Sequence, residues 1–166
     1  IRAAQATIHD LTLEQDQELQ VLLGDINLPI PDVPYGIDEA LEDLFISRDN
    51  VAKIIKSLTI GKNIILQGPP GVGKTYVAKK LAYAAIGAKS EDRVQMIQFH
   101  QSYSYEDFMQ GYRPSEDKHF TLKNGVFYSF CKKAAQNKDK DYVFIIDEIN
   151  RGNLSKIFGE LMMLIE

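Results

Sequence analysis

The run Gly68-Pro69-Pro70-Gly71-Val72-Gly73-Lys74-Thr75 constrains the fold of this chain more than any other stretch. Its spacing, G-x-x-x-x-G-K-[ST], is that of a loop whose backbone curls around a phosphate group. The glycines let successive N–H groups converge on one anion. The Lys74 ammonium is expected to reach terminal phosphates, and the Thr75 hydroxyl to ligate a Mg²⁺ ion. Gly68, Pro69, Pro70, Gly71, Val72, Gly73, Lys74, Thr75 and the adjoining Tyr76 form the predicted nucleotide-binding set. Such a loop belongs between a strand and a helix. Lys62–Gln67 predicts the strand, while Val77, Ala78, Leu81, Ala82 and Ala85 repeat at helical spacing up to Gly87, a stop signal. The N-terminal dipole of that helix would face the phosphates.

A second stretch supplies complementary chemistry. Tyr142-Val143-Phe144-Ile145-Ile146 is a continuous apolar run closed by Asp147-Glu148. Strands buried on both faces of a parallel sheet read this way. Ligands of open α/β sheets bind at the carboxyl ends of the strands, which is where both acids fall. Asp147 is predicted to hold the hydration shell of the same Mg²⁺ as Thr75, and Glu148 to orient or deprotonate an attacking water. An acidic pair of this kind favours hydrolysis over transfer to an acceptor.

Composition narrows the class. The chain has 166 residues, 45% of them hydrophobic, enough for one globular domain with a core. Its net charge of −4 and pI of about 5.4 argue against a stand-alone nucleic-acid binder. The single cysteine, Cys131, allows no internal disulfide and is expected to be a small core residue in a reducing compartment. With no targeting signal and no apolar run near the length of a membrane span, a cytoplasmic protein without a membrane partner is expected.

Taken in order, residues 1–33 predict a polar helical arm and a linker marked by Pro29 and Pro31, and residues 34–166 the nucleotide-binding domain. Helices are expected over Asp38–Phe45 and Arg48–Leu58, the second ended by Gly61. Tyr35, Gly36 and Ile37 are candidates for contact with a bound base, against ordinary turn packing. Arg93–His100 alternates as a strand. The aromatic stretch Gln101–Phe108 suits base stacking or, on balance, core packing. Asn124-Gly125 between apolar residues predicts the turn of a hairpin, followed by a helix over Tyr128–Asn137.

Three stretches together carry a resemblance. Gly68–Thr75, His100–Phe108 and the Ile149–Glu160 run after the two acids closely resemble the AAA+ domain of McrB-type GTPase motors of modification-dependent restriction systems, over roughly Pro34 to Glu166. The resemblance implies an α/β fold of the P-loop NTPase class, an AAA+ type parallel sheet flanked by helices. It implies a hexameric ring with nucleotide between subunits, GTP as substrate in preference to ATP, and Mg²⁺. It further implies a McrC-like nuclease subunit as partner, and DNA engaged through the parent complex. Lys74 would contact phosphates, Thr75 and Asp147 would serve Mg²⁺, and Glu148 would prepare the water. Asn150 and Arg151 match family positions after the acids; for Arg151 a subunit-interface contact and a helix-start salt bridge both stay open. The chain ends at Glu166 within an apparent helix. It is therefore expected to lack the later strands and helical lid, to be part of a longer protein, and to be inactive alone. The alternatives are an ATP-dependent AAA+ remodelling enzyme and a non-catalytic assembly module ordered by nucleotide.

Overall fold

The computed structural model of the chain describes residues 32–114 and 119–164. The arm and linker expected over residues 1–33 lie, as far as residue 31, outside the described residues. In chain order the elements are β1 (Val33–Pro34), α1 (Ile37–Asp43), α2 (Arg48–Gly61), α3 (Lys74–Ile86), β2 (Ala88–Lys89) and β3 (Val94–Gln98). There follow α4 (Tyr105–Phe108), β4 (Gln110–Pro114), β5 (Phe120–Asn124), α5 (Val126–Gln136), β6 (Val143–Asp147), a 3₁₀ turn (Ile149–Arg151) and α6 (Leu154–Phe158). A further 3₁₀ stretch covers Gly159–Leu164.

The centre is the parallel pair of β3 and β6, in register from Val94 opposite Val143 to Gln98 opposite Asp147. Successive side chains of a strand point to opposite faces, and β6 uses both. Val143 and Ile145 join a core with Tyr35, Ala40 and Leu44 around α1 and with Ala82 and Tyr83 of α3. Phe144 and Ile146 join a second core with Phe99, Phe108 of α4, Phe127 of α5, and Ile157 and Phe158 of α6. The continuous apolar run expected of a strand covered on both faces is thus explained residue by residue.

The aromatic stretch belongs to that second core. Phe108 is fully buried, stacks on Phe127 at 4.7 Å between ring centroids, and meets Phe99, Phe144 and Phe158 edge-on. Ser104 caps the short α4: its hydroxyl accepts the Asp107 N–H, while the Asp107 carboxylate accepts the Ser104 N–H. For Phe108 the core reading holds.

Several expectations are corrected. Lys62–Gln67 forms no strand ladder: a strand requires a neighbour, and no other segment among the described residues pairs with it. Ile64 and Leu66 are half-buried, whereas Ile65 is 84% exposed. Helix α2 runs through Gly61, and Lys62 takes the left-handed turn at its end, with φ of 60°. A hairpin does form, from β4 and β5, but Asn124 pairs with Gln110 at its base and Asn124-Gly125 is not its turn. Gly125 is needed for close approach instead: a Cβ there would lie 2.4 Å from the Phe108 carbonyl carbon. Cys131 is exposed on α5, because Phe127 and Phe130 take the inward positions of that helix.

Helix α3 is anchored at both ends. Gly87 stops it at φ of 72°, its N–H bonded to the Tyr83 carbonyl, and Tyr35 N–H donates to Gly87 O at 3.2 Å. The Tyr83 hydroxyl (2.6 Å) and the Lys79 ammonium (3.1 Å) donate to Glu91 ahead of β3. The Tyr83 hydrogen bond foremost, with Lys79 adding to it against partial burial, holds the Glu91 carboxyl below its ordinary 4.5. A depressed folded value contributes stability that is complete above the unfolded value and is lost as pH falls through the folded one. Glu91→Gln should therefore flatten the profile of melting temperature against pH on the acid side of pH 4.5 and leave its slope near neutrality unchanged. Phe108→Ala should destabilise the domain by about 3–5 kcal/mol in urea denaturation, as for a large aromatic removed from a tight core.

Candidate active site

The phosphate-loop residues adopt the geometry that their types suggest. Gly71 and Gly73 have φ of 80° and 76°, and a Cβ at either would meet nothing within 4 Å. Glycine is demanded there by backbone conformation rather than by space. The loop leads straight into α3, whose first helical bond runs from Val77 N–H to Gly73 O at 2.9 Å. Lys74 opens that helix. Its ammonium donates to the carbonyls of Gly68 (3.0 Å) and Pro69 (2.8 Å), and so lies across the rim of the loop.

The acidic pair meets this loop from the sheet. Asp147 ends β6, and its carbonyl accepts the Phe99 N–H at 3.0 Å, which carries the β3–β6 pairing to the last residue. One carboxylate oxygen, Oδ2, accepts the Thr75 hydroxyl at 2.9 Å; the other, Oδ1, accepts the Glu148 N–H at 3.0 Å. Residues 72 positions apart are thereby joined side chain to side chain. Glu148 is left-handed, with φ of 51°, and its Oε2 pairs with Arg151 Nε at 2.9 Å. Of the two readings left open for Arg151, the structure shows the salt bridge. Asn150 is exposed in the same 3₁₀ turn, without a side-chain hydrogen bond among the described residues.

The donor set suits magnesium. A hydroxyl and a carboxylate are hard oxygen ligands, and Mg²⁺ takes one or two such protein groups while keeping waters and substrate phosphates. No group of three or more His, Cys, Asp or Glu side chains placed to hold a metal ion occurs among the described residues. An ion here would complete its shell with waters and substrate oxygens.

Tyr76 is 48% exposed, and Lys80 stands over its ring at 5.2 Å and over that of Tyr35 at 5.6 Å. Tyr35 itself is buried, edge-on to Tyr83, and Gly36 donates its N–H to Glu39 at the start of α1. Both thus make packing and turn contacts within the chain. The Tyr76–Lys80 approach was readable from its i,i+4 spacing. The part of Tyr35 depends on the β1–β2 bridge and had no local signal.

Comparison with known proteins agrees with this geometry. Residues 63–166, well over half of the chain, match the AAA domain of the dynein-related subfamily. The chain belongs to the AAA family. It is 61% identical over 132 residues to the type IV methyl-directed restriction enzyme EcoKMcrB subunit of Escherichia coli (strain K12), covering 80% of this chain and 28% of that protein. It is 24% identical over 160 residues to the type II restriction enzyme BsuMI component YdiS of Bacillus subtilis (strain 168), covering 78% of this chain and 46% of that protein. The chain thus spans less than half the length of either relative. The resemblance to McrB-type AAA+ domains, drawn from three motif stretches, is borne out, as is the P-loop α/β class.

The left-handed glycines give a direct test. Gly73→Ala places an L side chain at φ of 76° without a clash. It should lower stability by about 1–2 kcal/mol in urea denaturation, the penalty of that conformation alone.

Proposed function

We propose that this chain is the nucleotide-hydrolysing part of a GTP-driven motor subunit in a McrBC-like, modification-dependent DNA restriction complex. The observation that carries the hydrolytic reading is the hydrogen bond from Thr75 to Asp147, with Glu148 next in sequence. It brings the phosphate loop and an acidic pair to one place, as the hydrolysis of a nucleoside triphosphate requires. The restriction setting is supported by the likeness to components of two restriction enzymes. GTP rather than ATP, a ring of like subunits, a McrC-like nuclease partner and action on DNA rest on the likeness to the McrB subunit. A ring is also consistent with exposed apolar side chains at Phe45, Ile60, Ile65 and Val72, which association would cover. No helix among the described residues is long and apolar enough to cross a membrane. The free thiol of Cys131 suits a reducing cytoplasm.

The roles follow from the chemistry of each group. Lys74 exchanges the carbonyls of Gly68 and Pro69 for phosphate oxygens, which are stronger acceptors because they are charged. The N–H groups of the first turn of α3 have no intrahelical acceptor and can bind the same phosphates. Thr75 and Asp147 would hold Mg²⁺, which when bound neutralises charge on the phosphates. Glu148 orients a water for in-line attack and accepts its proton as the new P–O bond forms and the γ-phosphate leaves the diphosphate.

Variants of the complete protein test the assignment. Lys74→Ala removes charge-assisted hydrogen bonds of about 1.5–3 kcal/mol. By calorimetry with a non-hydrolysable GTP analogue and Mg²⁺, its Kd should rise about 10- to 150-fold. Glu148→Gln should keep that affinity and lower kcat by about 10²–10⁴-fold. Turnover unchanged in both would sink the hydrolytic reading. Tighter binding of the ATP analogue than of the GTP analogue would instead favour an ATP-dependent remodelling enzyme. Binding without turnover in the unaltered complete protein would favour the assembly module.

A further inference from the structure

Glu148 is held in an uncommon backbone conformation. Only it and Lys62 have positive φ among the described non-glycine residues, and Lys62 merely ends a helix. A left-handed residue with a Cβ persists where its surroundings over-determine it. Here the surroundings are specific. The Glu148 N–H is fixed by Asp147 Oδ1 at 3.0 Å, and the Glu148 carbonyl accepts the Arg151 N–H at 2.8 Å. The Glu148 side chain is then taken by the Arg151 guanidinium at 2.9 Å. Arg151 therefore grips the same residue twice, by backbone and by side chain.

The far end of this grip is rigid as well. A Cβ on Gly152 would come within 2.6 Å of Ile157 Cδ1 and 3.0 Å of a Phe99 ring carbon, and both of those side chains are fully buried. The turn is thus pinned at one end by β6 and at the other by the aromatic core. The ion pair itself is half in solvent, with side-chain exposures of 63% for Arg151 and 36% for Glu148. Pairs so exposed contribute little to folding. Orientation of the carboxylate is what the pair can supply. The closest approach is from Nε to Oε2, at 2.9 Å.

We propose that Arg151 is a positioning residue for hydrolysis, holding Oε2 of Glu148 so that Oε1 faces the attacking water. The inference rests on the role of Glu148 given above. Glutamate has three side-chain torsions, and fixing one oxygen removes most of the freedom of the other. A water attacking in line tolerates little error, and misplacement by about 1 Å can cost about 10²-fold in rate.

The test is a double-mutant cycle in the complete protein with GTP and Mg²⁺. Arg151→Ala should lower kcat by about 10- to 100-fold, leave the Kd of a non-hydrolysable GTP analogue unchanged, and leave the thermal midpoint nearly unchanged. Arg151→Lys, which keeps the charge but not the planar fork, should recover part of the rate. In a Glu148→Gln background, Arg151→Ala should add no further loss, because its effect passes through that carboxylate. Should Arg151→Ala fail to fold, Arg151→Gln and Arg151→Lys carry the same comparison. An unchanged kcat would overturn the proposal. So would an equal loss in both backgrounds, or a loss of affinity matching the loss of rate, which would place Arg151 on the nucleotide or a neighbouring subunit. If Glu148→Gln alone left turnover intact, the hydrolytic reading would fall. If Glu148→Gln abolished turnover and Arg151→Ala did not, only the positioning role would.

Discussion

The parallel pairing of β3 with β6 is the constraint on which the rest of this domain depends. Its last link, from Phe99 N–H to Asp147 O, sets where the sheet stops and therefore where the two acids stand. The same pairing divides the interior. Alternate residues of β6 feed two separate cores, one under α1 and α3 and one under α4, α5 and α6. The helix that presents Lys74 and Thr75 is thus fixed to one face, and the segment that follows Glu148 is fixed to the other. The site lies where the two anchorages converge on the end of one strand.

Left-handed backbone angles recur there. In the phosphate loop the strain is avoided, since Gly71 and Gly73 take left-handed angles at little steric cost. At Glu148 it is borne by a residue with a Cβ, the one whose carboxylate the proposed hydrolysis sets against the attacking water. The hydrogen bond that Glu148 N–H donates to Asp147 and the one that Arg151 N–H donates to Glu148 O hold that conformation. A strained residue so tightly bounded is characteristic of sites where geometry matters more than stability.

Much of this was legible in the residues. The loop motif, the helix stop at Gly87 and the alternating strand at Val94–Gln98 all follow local rules and were found where those rules placed them. Thr75 and Asp147 were expected to share one ion, and they meet at 2.9 Å. The errors share a cause. Lys62–Gln67 has the composition of a strand, yet a ladder needs a partner, which composition does not provide. Asn124-Gly125 has the chemistry of a hairpin turn, but Gly125 answers to the nearby Phe108 backbone. Cys131 has a small apolar side chain, but its place on α5 relative to Phe127 and Phe130 turns it outward.

The phosphate loop, the acidic strand end and the helices between them could be read from the residues alone, because each is written in a few consecutive residues whose conformational preferences are local. Tertiary structure decided which groups act on one another. Thr75 reaches Asp147 only because α3 packs against the sheet that β6 completes, and Lys80 lies between Tyr35 and Tyr76 only because β1 returns to β2. Even Arg151 and Glu148, three residues apart, meet through the left-handed turn at Glu148. Spacing brings two side chains within reach, but the backbone conformation between them sets whether they meet.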